Sequence, residues 1–228
     1  ETYRVIRYDL RGYGQTTAAP AAYTHHDDLR ALLDTLGIDR AAVIGCSNGG
    51  RVAMNFTLTN PDRVSALGMI CSSPGGFRSS DDAPSALWDA IVAAFESGDL
   101  ERTSALEAQF WAVGESRPID ALDPAVYDLV REMNLIALQK EVAGNGDEQS
   151  LAPPAVERLS EISVPTLIVV GTFDHASTHE AGDFMAQNIT RAQKVVLDTA
   201  HLPSMEQPDE FNRVLLAFLR AALPDAQT

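Results

Sequence analysis

The sequence is short of positive charge. Its 17 lysines and arginines face 32 aspartates and glutamates, a formal net charge of −15. A surface that acidic repels phosphate backbones and anionic lipid, which argues against nucleic-acid and membrane-surface partners. Cysteine is scarce: Cys46 and Cys71 are too few for a disulfide framework. Both sit in or beside apolar runs, as buried free thiols do, and that suits a reducing, cytoplasmic compartment. No cluster of Cys and His has zinc spacing, so no metal site is expected. No apolar run is long enough to cross a bilayer, and Glu1-Thr2-Tyr3-Arg4-Val5 is not a signal peptide. An initiating Met is also missing, and an apolar run begins almost at once, so the chain reads as cut at its N-terminus.

What is present is ordinary globular material, 45 % hydrophobic and 21 % charged over 228 residues, which excludes disorder and allows one large α/β domain or two small ones. Tyr3–Tyr8 reads as a short strand ended by Asp9 and the Gly12/Gly14 loop. Thr24 then caps a helix whose apolar face is Leu29, Leu32, Leu33 and Leu36, with Gly37 closing it. Ala41–Ile44 is an apolar strand running into Gly45-Cys46-Ser47-Asn48-Gly49-Gly50 and a second helix. Val64–Cys71, Val164–Val170 and Lys194–Leu197 are further strands. The last helix has Pro208 in its first turn and a stripe of Phe211, Val214, Leu215, Phe218 and Leu219. Near-continuous apolar strands alternating with amphipathic helices predict an α/β fold: a mostly parallel sheet with helices on both faces.

The alternation breaks between Pro74 and Pro154. Helical patterns there carry Trp88, Ile91, Val92 and Phe95, then Leu106, Phe110 and Trp111, then Leu129, Val130 and Met133 after Asp123-Pro124. They predict a helical insertion at 74–153, between core segments 1–73 and 154–228. Gly144-Asn145-Gly146-Asp147 reads as a flexible turn.

Gly45-Cys46-Ser47-Asn48-Gly49 fits G-x-S-x-G with a strand leading in and a helix leading out. A sharp turn there would hold the serine clear of the sheet, with small residues on either side where the chain passes close. The N–H groups opening the next helix would favour developing negative charge. A phosphate-binding turn would need the Lys of G-x-x-x-x-G-K-[ST], and Arg51 is not placed to supply it. A serine hydroxyl needs a base, and the base an orienting acid, in the chain order Ser, Asp or Glu, His. Asp174 and His201 each follow a strand, so with Ser47 they all lie beyond strand C-termini. Asp183 on a helix face and Asp198 close to a strand end read as solvated. His25 and His26 read as surface or packing residues, His175 as a solvated loop residue and His179 as a surface residue before a helix.

These segments together resemble the α/β-hydrolase superfamily over nearly the whole chain. The resemblance rests on Tyr8-Asp9-Leu10-Arg11-Gly12-Tyr13-Gly14, the serine elbow, Pro165 to Asp174, and His201 with Glu206-Gln207-Pro208 and Phe211. It is nearest to serine esterases, enol-lactonases and C–C hydrolases. Ser47 argues against the dehalogenases and epoxide hydrolases that use an aspartate. The resemblance implies a triad of Ser47, His201 and Asp174, an oxyanion-hole N–H from Asn48, and a helical cap. It implies no cofactor and a small-molecule substrate, with a homodimer left open. Trp111 and Phe110 are the candidate substrate-pocket residues, while Trp88 and Phe95 are expected to pack within the cap.

Relatives usually have Ala-Gly-His where this chain has Thr199-Ala200-His201. They also have three strands before the one expected at Tyr3, and the loop after the third gives a second oxyanion donor. Without those strands the chain is expected to be poorly stable and weakly active. Perhydrolase-like (haloperoxidase) chemistry and a non-catalytic ligand-binding role remain the alternatives.

Overall fold

A computed structural model describes residues 3–17, 21–80, 85–144 and 146–223. Its centre is a four-stranded sheet of β2 (Ala41–Cys46), β3 (Val64–Ile70), β5 (Thr166–Gly171) and β6 (Ala192–Leu197), side by side in that order and all parallel. A separate two-stranded pair joins β1 (Ala22–Tyr23) to β4 (Asp147–Glu148). The helices are α1 (His25–Thr35), α2 (Asn48–Thr59), α3 (Ala86–Glu96), α4 (Leu100–Ala108), α5 (Pro124–Ala143), α6 (Ala176–Asn188), α7 (Pro203–Glu206) and α8 (Pro208–Ala222).

β3 and β5 are the inner strands, and alternation along them sends side chains into two cores. Leu67, Met69, Ile168 and Val170 pack with Met54 and Phe56 of α2, Leu29 and Leu33 of α1, and Met185 of α6. Ala66, Ile70, Leu167 and Val169 pack on the opposite face with Phe211, Phe218 and Leu219 of α8. Covering both faces explains why these strands read as unbroken apolar runs. In α1 the Thr24 hydroxyl accepts the Asp27 N–H at 3.1 Å, and Leu36 is left exposed as the C-cap.

Between β3 and β5 stand α3, α4 and α5, with their own small core of Ala108, Ala112, Val113, Leu122 and Val130. After α4 the chain continues as a π-helical turn, Gln109–Val113. The turn expected at Gly144-Asn145-Gly146-Asp147 includes Asn145, which lies outside the described residues.

Tyr3–Tyr8 is not a strand, contrary to its β-rich composition. The segment pairs with no strand among the described residues, and Val5 is 77 % exposed. A cavity of about 330 Å³, lined by Ile6, Tyr8 and Leu10 on one side and Ala41–Ile44 on the other, separates it from β2. Extended backbone becomes a strand only when a neighbour is within hydrogen-bonding reach, and here none is. No helix among the described residues is long and apolar enough to cross a membrane.

Candidate active site

The loops after β2, β3, β5 and β6 meet at one edge of the sheet, the C-terminal edge where open α/β sheets carry their sites. After β2 the chain turns sharply into α2. Ser47 sits on the turn with φ 52° and ψ −119°, a conformation that L-residues rarely adopt. Its N–H donates to Ile70 O at 2.9 Å, and its carbonyl accepts Gly50 N–H at 3.0 Å and the Ser72 hydroxyl at 2.7 Å. The backbone is thus tied to β3 and to the loop after it, and the side chain is left exposed.

Two glycines permit the turn, but they are not the two that flank the serine in the motif. A Cβ on Gly45 would lie 2.0 Å from Gly49 O, and one on Gly50 would lie 2.6 Å from the Ser72 side chain. A Cβ on Gly49 would meet nothing within 4 Å, so the expected crowding on that side belongs to Gly50. Asn48 is the first residue of α2, where the backbone N–H has no partner within the helix.

Asp174 follows β5, its N–H donating to Gly171 O at 3.2 Å. Its side chain is 1 % exposed. Oδ1 accepts the His175 N–H at 2.8 Å and the Thr178 hydroxyl at 3.3 Å, and His201 Nδ1 lies 2.9 Å from both carboxylate oxygens. A buried carboxylate is tolerable only with that many donors. His201, 6 % exposed, sits in the loop after β6. Its backbone N–H donates to Trp111 O at 3.0 Å, its carbonyl accepts the Cys46 thiol at 3.5 Å, and its ring is 4.5 Å from the Trp111 ring.

Ser47, Trp111 and His201 line one cavity of about 300 Å³ together with Arg51, Ser72, Phe77 and Thr178. The Ser47 hydroxyl makes no hydrogen bond among the described residues. Phe110 is 7 % exposed and lies in a different place from Trp111. It packs edge-on against the Trp111 ring at 4.6 Å, stacks on His175 at 5.6 Å, and lines a neighbouring cavity of about 210 Å³. Trp88 contacts both rings of that pair, at 5.2 Å and 6.3 Å.

The other titratable candidates separate clearly. Asp198 is exposed, and Asp183 pairs with Lys194 at 2.6 Å on the outside of α6. His175 is not a solvated loop residue: it caps α6, its Nδ1 accepting the Ser177 N–H at 3.3 Å. His179 lies inside α6 rather than before it. His25 and His26 are packing residues, 3 % and 9 % exposed, with His25 against the rings of Tyr13 and Tyr23.

Burial, and secondarily the Asp174 charge, pushes the Cys46 thiol up to about 12, and the same causes push Cys71 well up. Both therefore stay protonated and do not compete with the serine as nucleophiles. Cys71 Sγ, an Asp174 oxygen and a His201 nitrogen lie within 4.8 Å of one another. A thiol held protonated, beside a carboxylate and a ring nitrogen already bonded to each other, is a poor metal donor set.

Sequence reasoning missed the partners that hold the histidine loop. The Glu206 carboxylate accepts the Ala200 N–H at 2.8 Å and pairs with Arg117 at 2.5 Å, both side chains being about nine-tenths buried. Arg117 also donates to Val113 O at 2.5 Å and lies over the Phe173 ring at 4.5 Å. Glu206 belonged to a segment the sequence singled out, but Arg117 lies 89 residues away and carried no signal.

A family model described as the alpha/beta hydrolase fold matches residues 1–208. The 3-oxoadipate enol-lactonase 1 of Acinetobacter baylyi is 28 % identical over 96 % of this chain and 79 % of its own length. A 2-hydroxy-6-oxononadienedioate/2-hydroxy-6-oxononatrienedioate hydrolase of Klebsiella pneumoniae is 29 % identical over 96 % and 77 %. Among solved structures, the enol-lactonase from Burkholderia xenovorans is similar with a TM-score of 0.71 at 26 % identity, over 93 % of this chain and 79 % of that one. A thermophilic esterase from Thermogutta terrifontis gives 0.67 at 28 %, over 94 % and 78 %. With a family model spanning almost all of its length, and with sheet, elbow and strand-end loops arranged as described, the chain belongs to the alpha/beta hydrolase family of enzymes.

Proposed function

We propose that the protein is a serine hydrolase that opens a small ester or lactone through an acyl-enzyme. The observation that carries this is the buried His201–Asp174 pair, 2.9 Å apart, with His201 lining the same cavity as a serine on a strained strand-to-helix turn. In this reading His201 Nε2 takes the Ser47 proton as Oγ attacks the carbonyl carbon. Asp174, fixed on Nδ1, selects the tautomer and stabilises the imidazolium. The Asn48 N–H at the start of α2 receives the oxyanion. His201 returns the proton to the leaving oxygen. Water, activated by the same base, then releases the acid and frees Ser47. No cofactor enters. The segment 74–153 acts as the cap over this edge, between core segments 1–73 and 154–228, and Trp111 forms part of the substrate wall with Phe110 behind it.

A lactone is favoured within this class because two of the relatives above are named enol-lactonases, one of them a solved structure. The hydrolase relative from Klebsiella pneumoniae favours cleavage of a carbon–carbon bond next to a ketone as the second reading. The unpaired thiols Cys46 and Cys71 suit a reducing, cytoplasmic setting.

A fluorophosphonate probe with mass-spectrometric mapping, run beside a panel of nitrophenyl esters and small lactones, tests the proposal. Wild type should carry the adduct on Ser47. Ser47→Ala should take up none, and its turnover should fall by about 10³-fold or more. A folded wild type that takes up no label, or a Ser47→Ala protein as active as wild type, would overturn it.

A further inference from the structure

Arg51 lies in the first turn of α2, four residues after Ser47, which caps that helix. It lines the 300 Å³ cavity shared by Ser47 and His201. Its side chain makes no hydrogen bond or ion pair among the described residues, and the residue is exposed. The carboxylate nearest the chemistry, Asp174, is 1 % exposed and already bonded to His201, so it does not neutralise Arg51.

Arg51 is also the wall between that cavity and a second one of about 240 Å³, which it lines with Asn48, His25, Asn55 and Glu148. Two of the residues lining the second cavity carry unsatisfied polar atoms. Both ring nitrogens of the buried His25 and the Oδ1 of Asn55 lack hydrogen-bond partners. Buried polar groups left this way cost stability unless something entering the cavity completes them.

We infer that Arg51 is a specificity determinant, and that the enzyme prefers esters or lactones whose acyl part ends in a carboxylate. This rests on the serine-hydrolase reading for the bond that is broken, but not for the binding. With the scissile carbonyl at Ser47, the acid lies against Arg51, where the planar guanidinium offers paired donors to a carboxylate. Glu148, 48 % exposed, lies 3.6 Å from His25 Nε2, and its charge disfavours an anion beside that ring. The carboxylate therefore pairs with Arg51 rather than with His25. In a chain of net charge −15, an anionic substrate needs such a local cation, and at cellular salt only charges within about 8 Å count strongly.

The test compares nitrophenyl hydrogen glutarate with nitrophenyl valerate, acyl chains of equal length that differ in the terminal acid. The readout is the ratio of kcat/KM for the acid ester to that for the neutral one, so a general loss of activity cancels. Arg51→Met should lower this ratio by about tenfold or more, through KM, and Arg51→Lys should restore part of it. In parallel, monomethyl glutarate and methyl valerate are titrated into Ser47→Ala protein by ligand-observed NMR. The acid should bind more tightly, and adding Arg51→Met should remove the difference. Binding that depends on Arg51 in a protein whose wild type cleaves neither ester would sink the hydrolase reading and support this one. Hydrolysis with a ratio unchanged in Arg51→Met, or equal binding of the two ligands, would overturn the carboxylate preference and leave the hydrolase reading standing.

Discussion

At Ser47 the backbone is held in its rare conformation by hydrogen bonds to β3, to the loop after it and to the first turn of α2, so the surroundings and not the residue type sustain the strain. Gly45 is where that arrangement is most easily broken, since any side chain there meets the Gly49 carbonyl at 2.0 Å. Gly45→Ala is expected to cost about 2–4 kcal/mol and to misplace the hydroxyl. Urea denaturation would read the first effect, and loss of fluorophosphonate labelling in the fraction still folded would read the second. Asp174→Asn tests the other side of the site. An amide cannot stabilise the imidazolium and permits the wrong tautomer, so kcat should fall by about 10⁴-fold while KM moves little. A mutant within tenfold of wild type would show that the buried contact to His201 is structural only.

Among the elements, the π-helical turn at Gln109–Val113 links the helical segment to the catalytic loop. π turns recur at functional sites because the extra residue frees backbone groups for other partners, and here Trp111 O takes the His201 N–H. The Arg117–Glu206 pair reinforces the same junction, since Glu206 also accepts the Ala200 N–H. Arg117→Met leaves a carboxylate about 10 % exposed without its counter-ion, which should cost about 3 kcal/mol in a urea titration. Glu206→Gln keeps an acceptor for Ala200 and should retain more activity than Glu206→Ala; equal kcat in the two would remove the positioning role. None of this was readable in the sequence. A π turn differs from an α turn by one residue and leaves no distinct apolar period, and a long-range ion pair has no local signal. The main strands were readable because β2, β3 and β5 are apolar runs of the right length and β6 ends in Val195-Val196-Leu197, each followed by a loop. The loops after them, and so the neighbourhoods of Ser47, Asp174 and His201, followed from that. Tyr3–Tyr8 misled because composition reports suitability for a strand, whereas a strand also needs a partner, and a cavity lies where the partner would be.

For the whole molecule, acidity and two buried histidines set the response to pH. The sequence located His25 and His26 at a helix start but could not show that the β1–β4 pair and the neighbouring rings close over His25, because burial is decided by segments more than a hundred residues apart. Burial lowers the pKa of both below the ordinary histidine value of 6.5. For His25, Glu148 and Asp28 oppose the shift and Arg11 adds to it. The unfolded chain therefore takes up these protons at a higher pH than the folded protein does. Stability is complete above the ordinary value and is lost as pH falls through it toward the lower folded-state values. Lowering the pH from roughly 7.5 to 5.5 should lower Tm, and His25→Phe should reduce that slope if the ring is the group resisting protonation. Closer to the isoelectric point of about 4.6, the net charge of −15 vanishes and self-repulsion with it, so aggregation should peak there. Thermal melts and light scattering across the same series separate the two effects. A Tm that stays flat down to pH about 5 in wild type would show that neither histidine is held neutral by the fold.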